Sequence, residues 1–525
     1  MVSETSSAAQ EINPSGLSRR TVLRGLTAGA ALAGAAPFAA SAAVAKPTDR
    51  PIDWTAFDRA VQIGFDHLRL VGAAVAVVSS TQVLHTIILG SRTRVPRRPV
   101  TPSTRFLVGS TTKAMSSALV ATYVDDGVVG WDQKAVDAWS GFRAPTDELT
   151  RSLTIRQLLG MATGIHDHPH TGLHEGDYTP DDILQSLVNL PVIDPPGRAF
   201  YYQNGVYSAG AFLPLLASGV SPADLSAAYA DAMRTRIFEP AGMSGAAISS
   251  DPRDGSADFA TGYGYDLTGT PTELPYAPLG GTAPAGSAMA NLADQGAFVR
   301  LQLRRGLSVT GRRVVSEANL AECWKPGVAI DLQPVRELDP DDLEQRYALG
   351  WFHETFTDGT TLLQHGGNID GFSSLNAFLP EHDLGLVVLT NQDGGAFRDY
   401  YVLNLLLNQL GLNLGAPAKA LAGMDKRLSA LAELRKQSTA IDLKAVDPYL
   451  GYYERGYSLI RQGREVQIRL ASRVWPLRQT GDGQYIIAHS LSPILGNPIK
   501  LSRGIDGTPQ LDIVGYETVR RNTAL

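Results

Sequence analysis

Ser110 and Lys113 stand at i and i+3 in Phe106-Leu107-Val108-Gly109-Ser110-Thr111-Thr112-Lys113, at the head of an apolar run dense in Ala, Met, Leu and Val. On a helix that spacing turns the two side chains the same way. A serine hydroxyl is a poor nucleophile at neutral pH and needs an adjacent base. An ordinary lysine, with a pKa of about 10.4, is protonated there. Burial in apolar surroundings lowers that value, so that a neutral amine can accept the serine proton. A serine at a helix start also has unsatisfied backbone N–H groups beside it, which suit a developing oxyanion. This is the only Ser-x-x-Lys in the chain. Taken alone it is a weak signal, since both residues are common and serine is a routine helix cap.

Two further stretches bear on that pair. Phe200-Tyr201-Tyr202-Gln203-Asn204 follows Asp194-Pro195-Pro196-Gly197 and sets a tyrosine two residues from an amide, a proton carrier beside a polar clamp. Leu363-Gln364-His365-Gly366-Gly367-Asn368 reads as a strand ending in glycines, where a substrate backbone can approach closely. Other chemistries find less support. His166, His168, His170 and His174 cluster with Asp167 and Glu175. Their segment is rich in Gly, Pro, Asp and Thr, and their spacing matches neither a zinc-protease helix nor a finger, so it reads as a loop and no metal site is assigned. There is no Gly-x-Ser-x-Gly elbow and no phosphate-binding glycine loop of the Walker type. The single cysteine, Cys323, excludes an intrachain disulfide and reads as a buried helix residue.

In their order and spacing the three elements resemble the serine β-lactamase and penicillin-binding-protein superfamily, nearest its class C, D-aminopeptidase and esterase branch. Leu153 to Leu159 before Ala162-Thr163-Gly164-Ile165, Ile237 to Met243, and Pro284-Ala285-Gly286 before Asp294 fit as further landmarks, and the likeness runs from about Phe57 to Leu410. The resemblance implies Ser110 as the acylated nucleophile, Lys113 and Tyr202 as its proton partners, and Asn204 as a clamp on the acyl side chain. Tyr201 replaces Tyr202 if the match slips by one. His365, Gly366 and Gly367 stand where the family has Lys-Thr-Gly, and the backbone N–H groups of Ser110 and Asn368 form the oxyanion hole. His365, partly charged near neutral pH, and Gly366, without a hydroxyl, depart from the β-lactamase pattern. His-x-Gly versions resemble D-amino-acid peptidases and some esterases more than true β-lactamases. The expected substrate is therefore a small ester or a short D-amino-acid peptide or amide, with no cofactor. A β-lactamase or D-Ala-D-Ala carboxypeptidase, a non-hydrolytic penicillin-binding protein and an acyltransferase remain as alternatives on the same fold.

Elements able to position these residues are legible along the chain. The sequence has 525 residues, 44% hydrophobic and 19% charged, with a net charge of -6. That is enough for a large core, and it offers no basic excess to neutralise nucleic acid. Residues 1–45 read as an export signal: Ser18-Arg19-Arg20-Thr21 resembles a twin-arginine motif, a weak Ala/Gly-rich run follows, and Ala43 and Ala45 fit a cleavage site. The mature protein is expected outside the cytoplasm, periplasmic or secreted, without a stable membrane span. A helix over 55–68 and strands over 73–78 and 83–89 open residues 46–412. A helix follows from 110 to 123, then a helical middle containing 222–238 and 291–303. Strands return at 348–353, 362–364, 373–379 and 384–390, before a helix over 398–410. This order predicts an α/β (α+β) fold, an antiparallel sheet assembled from both ends of the domain and flanked by helices, with a helical insertion between. A linker and charged helix over 413–440 lead to residues 441–525, whose short β runs punctuated by glycine predict a small antiparallel barrel or sandwich.

Overall fold

The computed structural model describes residues 51–166, 178–249, 253–274, 279–330, 343–369, 371–392, 395–412, 417–454, 457–470, 473–480, 484–487, 498–513 and 517–522, with Asp251, Tyr276 and Gly415. The export signal expected over 1–45, and all of the histidine-rich segment except His166, lie outside the described residues. Asp53 caps the first helix, α1 (Trp54–His67), by accepting from the Ala56 N–H at 2.9 Å. Phe57, Val61, Gly64 and Phe65 form its buried stripe, the spacing of a one-sided helix.

Eight antiparallel strands make the central sheet: β1 (Gly72–Val78), β2 (Val83–Arg94), β3 (Arg97–Pro99), β4 (Leu343–Tyr347), β5 (Phe352–Phe356), β6 (Thr361–Ile369), β7 (Phe372–Leu379) and β8 (Leu384–Thr390). Their spatial order is β3-β2-β1-β8-β7-β6-β5-β4, so the first strand pairs with the last and the two ends of the domain meet at the sheet's centre. Successive side chains of a strand point to opposite faces. On β1, Ala74, Ala76 and Val78 enter one core while Ala73, Val75 and Val77 enter the other. A strand covered on both sides reads as an unbroken apolar run, which is how Ala73 to Val78 reads. One core is shared with the helical insertion, including α2 (Thr112–Asp125), α3 (Asn204–Ala217) and α4 (Leu292–Leu303). The other is covered by α1 and by the helical turns Ala396–Val402 and Leu403–Gln409. Residues 112 to 123 of α2 are all buried, so this helix has no polar face to give it an amphipathic signature.

Several expectations need correction. The strand expected over 348–353 straddles a turn: Ala348 to Trp351 connect β4 to β5, and Gly350 adopts φ 82° there. The glycines at 366 and 367 do not end a strand, because β6 continues to Ile369 in register with β7. Strand β2 runs on to Arg94, past the Gly90 bend at φ 67°. Most of the linker and helix expected over 413–440 is one helix, Pro417–Gln437, and Ala420, Met424 and Leu431 pack it into the second core. The helix over 222–238 is a 3-10 turn, an α segment and a π turn in series. No single helix among the described residues is long and apolar enough to cross a membrane.

Residues 451–520 form eight more strands in simple sequential order. Four of them, Gly451–Tyr452, Arg473–Gln479, Pro498–Arg503 and Glu517–Arg520, were not evident from glycine spacing. The first and last strands meet through the Tyr453–Arg521 bridge and the Asn522 N–H to Tyr452 O bond at 2.8 Å, curling the sheet into a barrel. Tyr457, Leu459, Ile468, Trp475, Leu477 and Ile499 are among the side chains that fill it, as expected of a barrel this small. In the strand Tyr485–Ile487, Tyr485 and Ile487 point inward and Ile486 points out, into the second core of the large domain. Ile486→Ala removes that plug and is expected to cost about 2–5 kcal/mol. Scanning calorimetry should show the barrel transition separating from the main one; a single transition at the wild-type temperature would contradict this docking.

Candidate active site

Ser110 sits in a 3-10 turn, Gly109–Thr111, that runs straight into α2. Gly109 adopts φ 53°, and an added Cβ there would stand 3.0 Å from Asn368 N, so conformation and space both call for glycine. The turn is pinned by Thr112 Oγ1, which donates to Gly109 O at 2.6 Å and accepts from the Ala288 N–H at 3.0 Å. Ser374 Oγ on β7 donates to Val108 O at 2.5 Å. A Cβ on Gly367 would meet Val108 O at 2.0 Å and Ser110 N at 2.9 Å, so β6 presses directly on the turn. Strand β5 pairs with β6 only over Thr361 to Gln364. The backbone edge from His365 to Ile369 therefore has no strand partner on that side among the described residues, and it can receive an extended chain.

Lys113 lies one turn into the helix and is completely buried. Its Nζ donates to Ser110 Oγ at 3.1 Å, Asn204 Oδ1 at 2.7 Å and Ala285 O at 2.8 Å. Burial pushes its pKa well below the ordinary lysine value. Tyr202 Oη donates to Ser110 Oγ at 2.8 Å, and Lys113 Nζ lies 4.7 Å from the centre of the Tyr202 ring. The ring leaves 42% of the residue open to solvent and forms a wall of the site. Its inward hydroxyl loses solvation, which holds the phenol above its usual range, with the Ser110 bond acting the other way.

The chain brings Tyr202 and Asn204 here through a helix cap. Gln203 is the N-cap of α3 and accepts from the Val206 N–H at 2.7 Å. This places Tyr202 before the helix and Asn204 in its first turn. Tyr207, one turn on, donates to Lys113 O at 2.5 Å and bonds Ser117 Oγ at 2.7 Å, tying α3 to α2. The Tyr201 hydroxyl points elsewhere and donates to the Asp194 carboxylate.

His365 departs from expectation. It is 1% exposed, with Nδ1 2.7 Å from Gly366 O and Nε2 3.2 Å from Tyr347 Oη. These partners make Nδ1 the donor to the carbonyl and Nε2 the acceptor. Burial first, and then the charge of Lys113, lower its pKa to about 3. A partly charged histidine seating substrate is thus replaced by a neutral one packed beside Phe352 and Tyr202, with ring centres 5.1 and 6.3 Å away. Asn368 lies on the other face of β6, its NH2 toward Ser373 Oγ at 2.7 Å and its carbonyl accepting from Arg398 Nη2 at 3.0 Å. The Ala285 carbonyl, Tyr347 and Arg398 were missed in the sequence, since a carbonyl has no residue signature and the other two lie outside the motifs. Among the described residues no three His, Cys, Asp or Glu side chains form a group able to hold a metal ion.

Residues 57–409 match the family model described as Beta-lactamase. The chain belongs to that family. Its relatives include an unguisins hydrolase of Aspergillus campestris (strain IBT 28561), 28% identical over 64% of this chain and 60% of that protein. A D-aminopeptidase of Cereibacter sphaeroides (strain ATCC 17029 / ATH 2.4.9) is 24% identical over 66% of this chain and 61% of its own length. The chain thus spans about three-fifths of these relatives. An octameric penicillin-binding protein homologue from Pyrococcus abyssi shares the fold, with a TM-score of 0.58 at 18% identity over 89% of this chain and 100% of that one.

Because His365 is neutral when folded and titrates near 6.5 when unfolded, the unfolded state binds the extra proton as pH falls from about 6.5 towards about 3. Its contribution to stability is full above that window and lost through it, with a slope of up to about 1.4 kcal/mol per pH unit. His365→Gln should flatten the acid limb of Tm against pH. An unchanged limb would show that His365 does not set it.

Proposed function

We propose that the chain is a serine acyl hydrolase acting on carboxylic esters or D-amino-acid peptides and amides. The observation that carries this reading is the position of Ser110 Oγ, 3.1 Å from a fully buried lysine amine and 2.8 Å from a tyrosine hydroxyl. Neutral Lys113 keeps its two N–H groups on Asn204 Oδ1 and Ala285 O and turns its lone pair to Ser110 Oγ, 3.1 Å away, taking the proton as Oγ adds to the substrate carbonyl. The backbone N–H groups of Ser110 and Asn368 hold the oxyanion. As the intermediate collapses, Lys113 returns the proton through Tyr202 to the leaving alcohol or amine. Water then adds to the acyl-enzyme by the same relay, releasing the acid and restoring Ser110. Asn204 engages the acyl side chain, and the open edge of β6 aligns the substrate backbone.

The names of the relatives, a hydrolase and a D-aminopeptidase, weigh towards peptide-like substrates. The neutral His365 and the bare Gly366 weigh the same way, since the Lys-Thr pair that seats a β-lactam carboxylate is absent from β6. The tyrosine hydroxyl that reaches Ser110 belongs to Tyr202, which supports its place in the proton relay over Tyr201.

A panel of p-nitrophenyl esters, D-amino-acid p-nitroanilides, a D-Ala-D-Ala peptide and a chromogenic cephalosporin tests the substrate class, with turnover expected on the first two. Ser110→Ala and Lys113→Ala should each lower kcat by on the order of 10³-fold or more; labelling of Ser110→Ala by a serine-acylating probe would refute the assignment. The pH profile carries a second test. Activity needs Lys113 neutral, so kcat/KM should fall with decreasing pH through its lowered pKa, at a pH well below that of an ordinary lysine. A rise in kcat/KM towards acid pH would contradict Lys113 as the base.

The twin-arginine-like leader further supports a proposal that this chemistry takes place outside the cytoplasm. Replacing Arg19 and Arg20 with lysine should retain the protein in the cytoplasmic fraction; undiminished export would dismiss that route.

A further inference from the structure

Arg398 is a buried cation that none of the chemical steps above uses. It is 5% exposed and rises from the helical turn Ala396–Val402 against the face of β6 opposite Ser110. All three of its nitrogens are engaged: Nε donates to Ser373 Oγ at 2.7 Å, Nη1 to Asp399 Oδ1 at 2.5 Å, and Nη2 to the Asn368 side-chain carbonyl at 3.0 Å. The Asn368 NH2 closes the ring by donating to Ser373 Oγ, 2.7 Å away, and to Gly367 O at 3.2 Å. Asn368 and Ser373 are paired residues at the end of the β6–β7 ladder. The guanidinium therefore staples the last rungs of that hairpin, next to the point where Asn368 N meets Gly109.

Gly366 belongs to the same unit. A Cβ on Gly366 would stand 1.6 Å from Arg398 Nη1, 2.4 Å from Cζ and 2.7 Å from Nη2. The guanidinium occupies the space where any other residue would place its side chain. Its five N–H groups form a rigid planar fork, so three fixed acceptors hold the plane in place, and an ammonium could not copy that geometry.

We propose that Arg398 is a positioning residue for the oxyanion site. Acting through the Asn368 side chain, it fixes the Asn368 backbone N–H relative to Ser110, and residue 366 is glycine because the guanidinium occupies its side-chain volume. This rests on the serine-hydrolase reading. It goes beyond that reading in making the bare glycine part of a support from the opposite face of the sheet. A donor displaced by an ångström weakens the transition state far more than the bound substrate, so the loss should appear in kcat.

The test measures kcat, KM, the acylation burst and Tm on a p-nitrophenyl ester for the full-length wild type and for Arg398→Lys, Arg398→Ala, Gly366→Ala and the Gly366→Ala/Arg398→Ala double variant. Arg398→Lys keeps the charge but not the fork. It is expected to stay folded and to lower kcat and the burst rate by about tenfold to a hundredfold, with KM within about threefold. Gly366→Ala should show the same loss, and the double variant should be no worse than Arg398→Ala alone, because removing the guanidinium vacates the contested space. Wild-type kcat in Arg398→Lys, or fully additive losses in the double variant, would overturn the proposal. Should Arg398→Ala or Gly366→Ala prove unstable by Tm, Arg398→Lys against the wild type still decides it. Ser110→Ala separates the two claims: if it is inactive while Arg398→Lys is fully active, only the positioning role falls, whereas turnover in Ser110→Ala removes the hydrolase reading itself.

Discussion

The burial of Lys113 is the constraint from which the rest of the site follows. A lysine amine taken wholly out of water is costly unless it is neutral or surrounded by acceptors, and here three oxygens, from Ser110, Asn204 and Ala285, converge on it. They come from the turn before α2, the first turn of α3 and the short helix Ala283–Gly286. The layer beneath is tied in the same way. Ser116 Oγ reaches Pro284 O and Tyr229, and Ser117 Oγ reaches Tyr207, which itself donates to Lys113 O. Buried polar networks of this kind are stabilising only when every member is satisfied. The position of the amine is thus over-determined by four segments far apart in the sequence.

The sheet completes that enclosure by close backbone approach. Gly109, Gly350 and Gly367 each stand where a side chain would strike main chain: Asn368 N for the first, Lys113 C at 2.8 Å for the second, and Val108 O for the third. Two of them, Gly109 and Gly350, also lie in the left-handed region, which side chains disfavour. The Ser110 turn is therefore pressed by β6, and the first turn of α2 by the β4–β5 turn. Pre-organisation here is a matter of packing density around the backbone as much as of hydrogen bonds.

What the sequence disclosed and what it hid follow from the same physics. Strands β1, β7 and β8 and helix α1 were legible because their apolar runs or stripes are long and the turns between them carry their own signals, such as Pro380 to Asp383. Ser110, Lys113, Tyr202 and Asn204 were legible as a group because three motifs fall in order, although the Ser-x-x-Lys alone was ambiguous. The β4–β5 turn was hidden inside Ala348-Leu349-Gly350-Trp351, whose apolar residues are buried by tertiary contacts while the backbone reverses. The environment of His365 was equally hidden. A histidine's charge depends on what surrounds it, and the aromatic walls from Phe200, Tyr347 and Phe352 come from separate segments.

Burial at these positions also separates the site's three titratable groups. His365 is pushed down to about 3, Tyr202 is held above the phenol range, and Lys113 is drawn below the ordinary lysine value. Environments that drive neighbouring groups apart in this way assign acid and base roles. Near neutral pH the histidine has no proton to supply and the tyrosine gives one up only as it takes another in the proposed relay, so Lys113 is left as the proposed base. The neutral histidine also spares Lys113 a second positive charge nearby. Lys113 depresses His365 through space, and coupling between two titrating groups is reciprocal, so a protonated residue at 365 would depress the lysine in turn. Replacing the family's strand lysine by a buried histidine therefore changes more than the recognition of a carboxylate. It leaves the proposed base with one proton relay, through Ser110 and Tyr202, and with no second cation at residue 365.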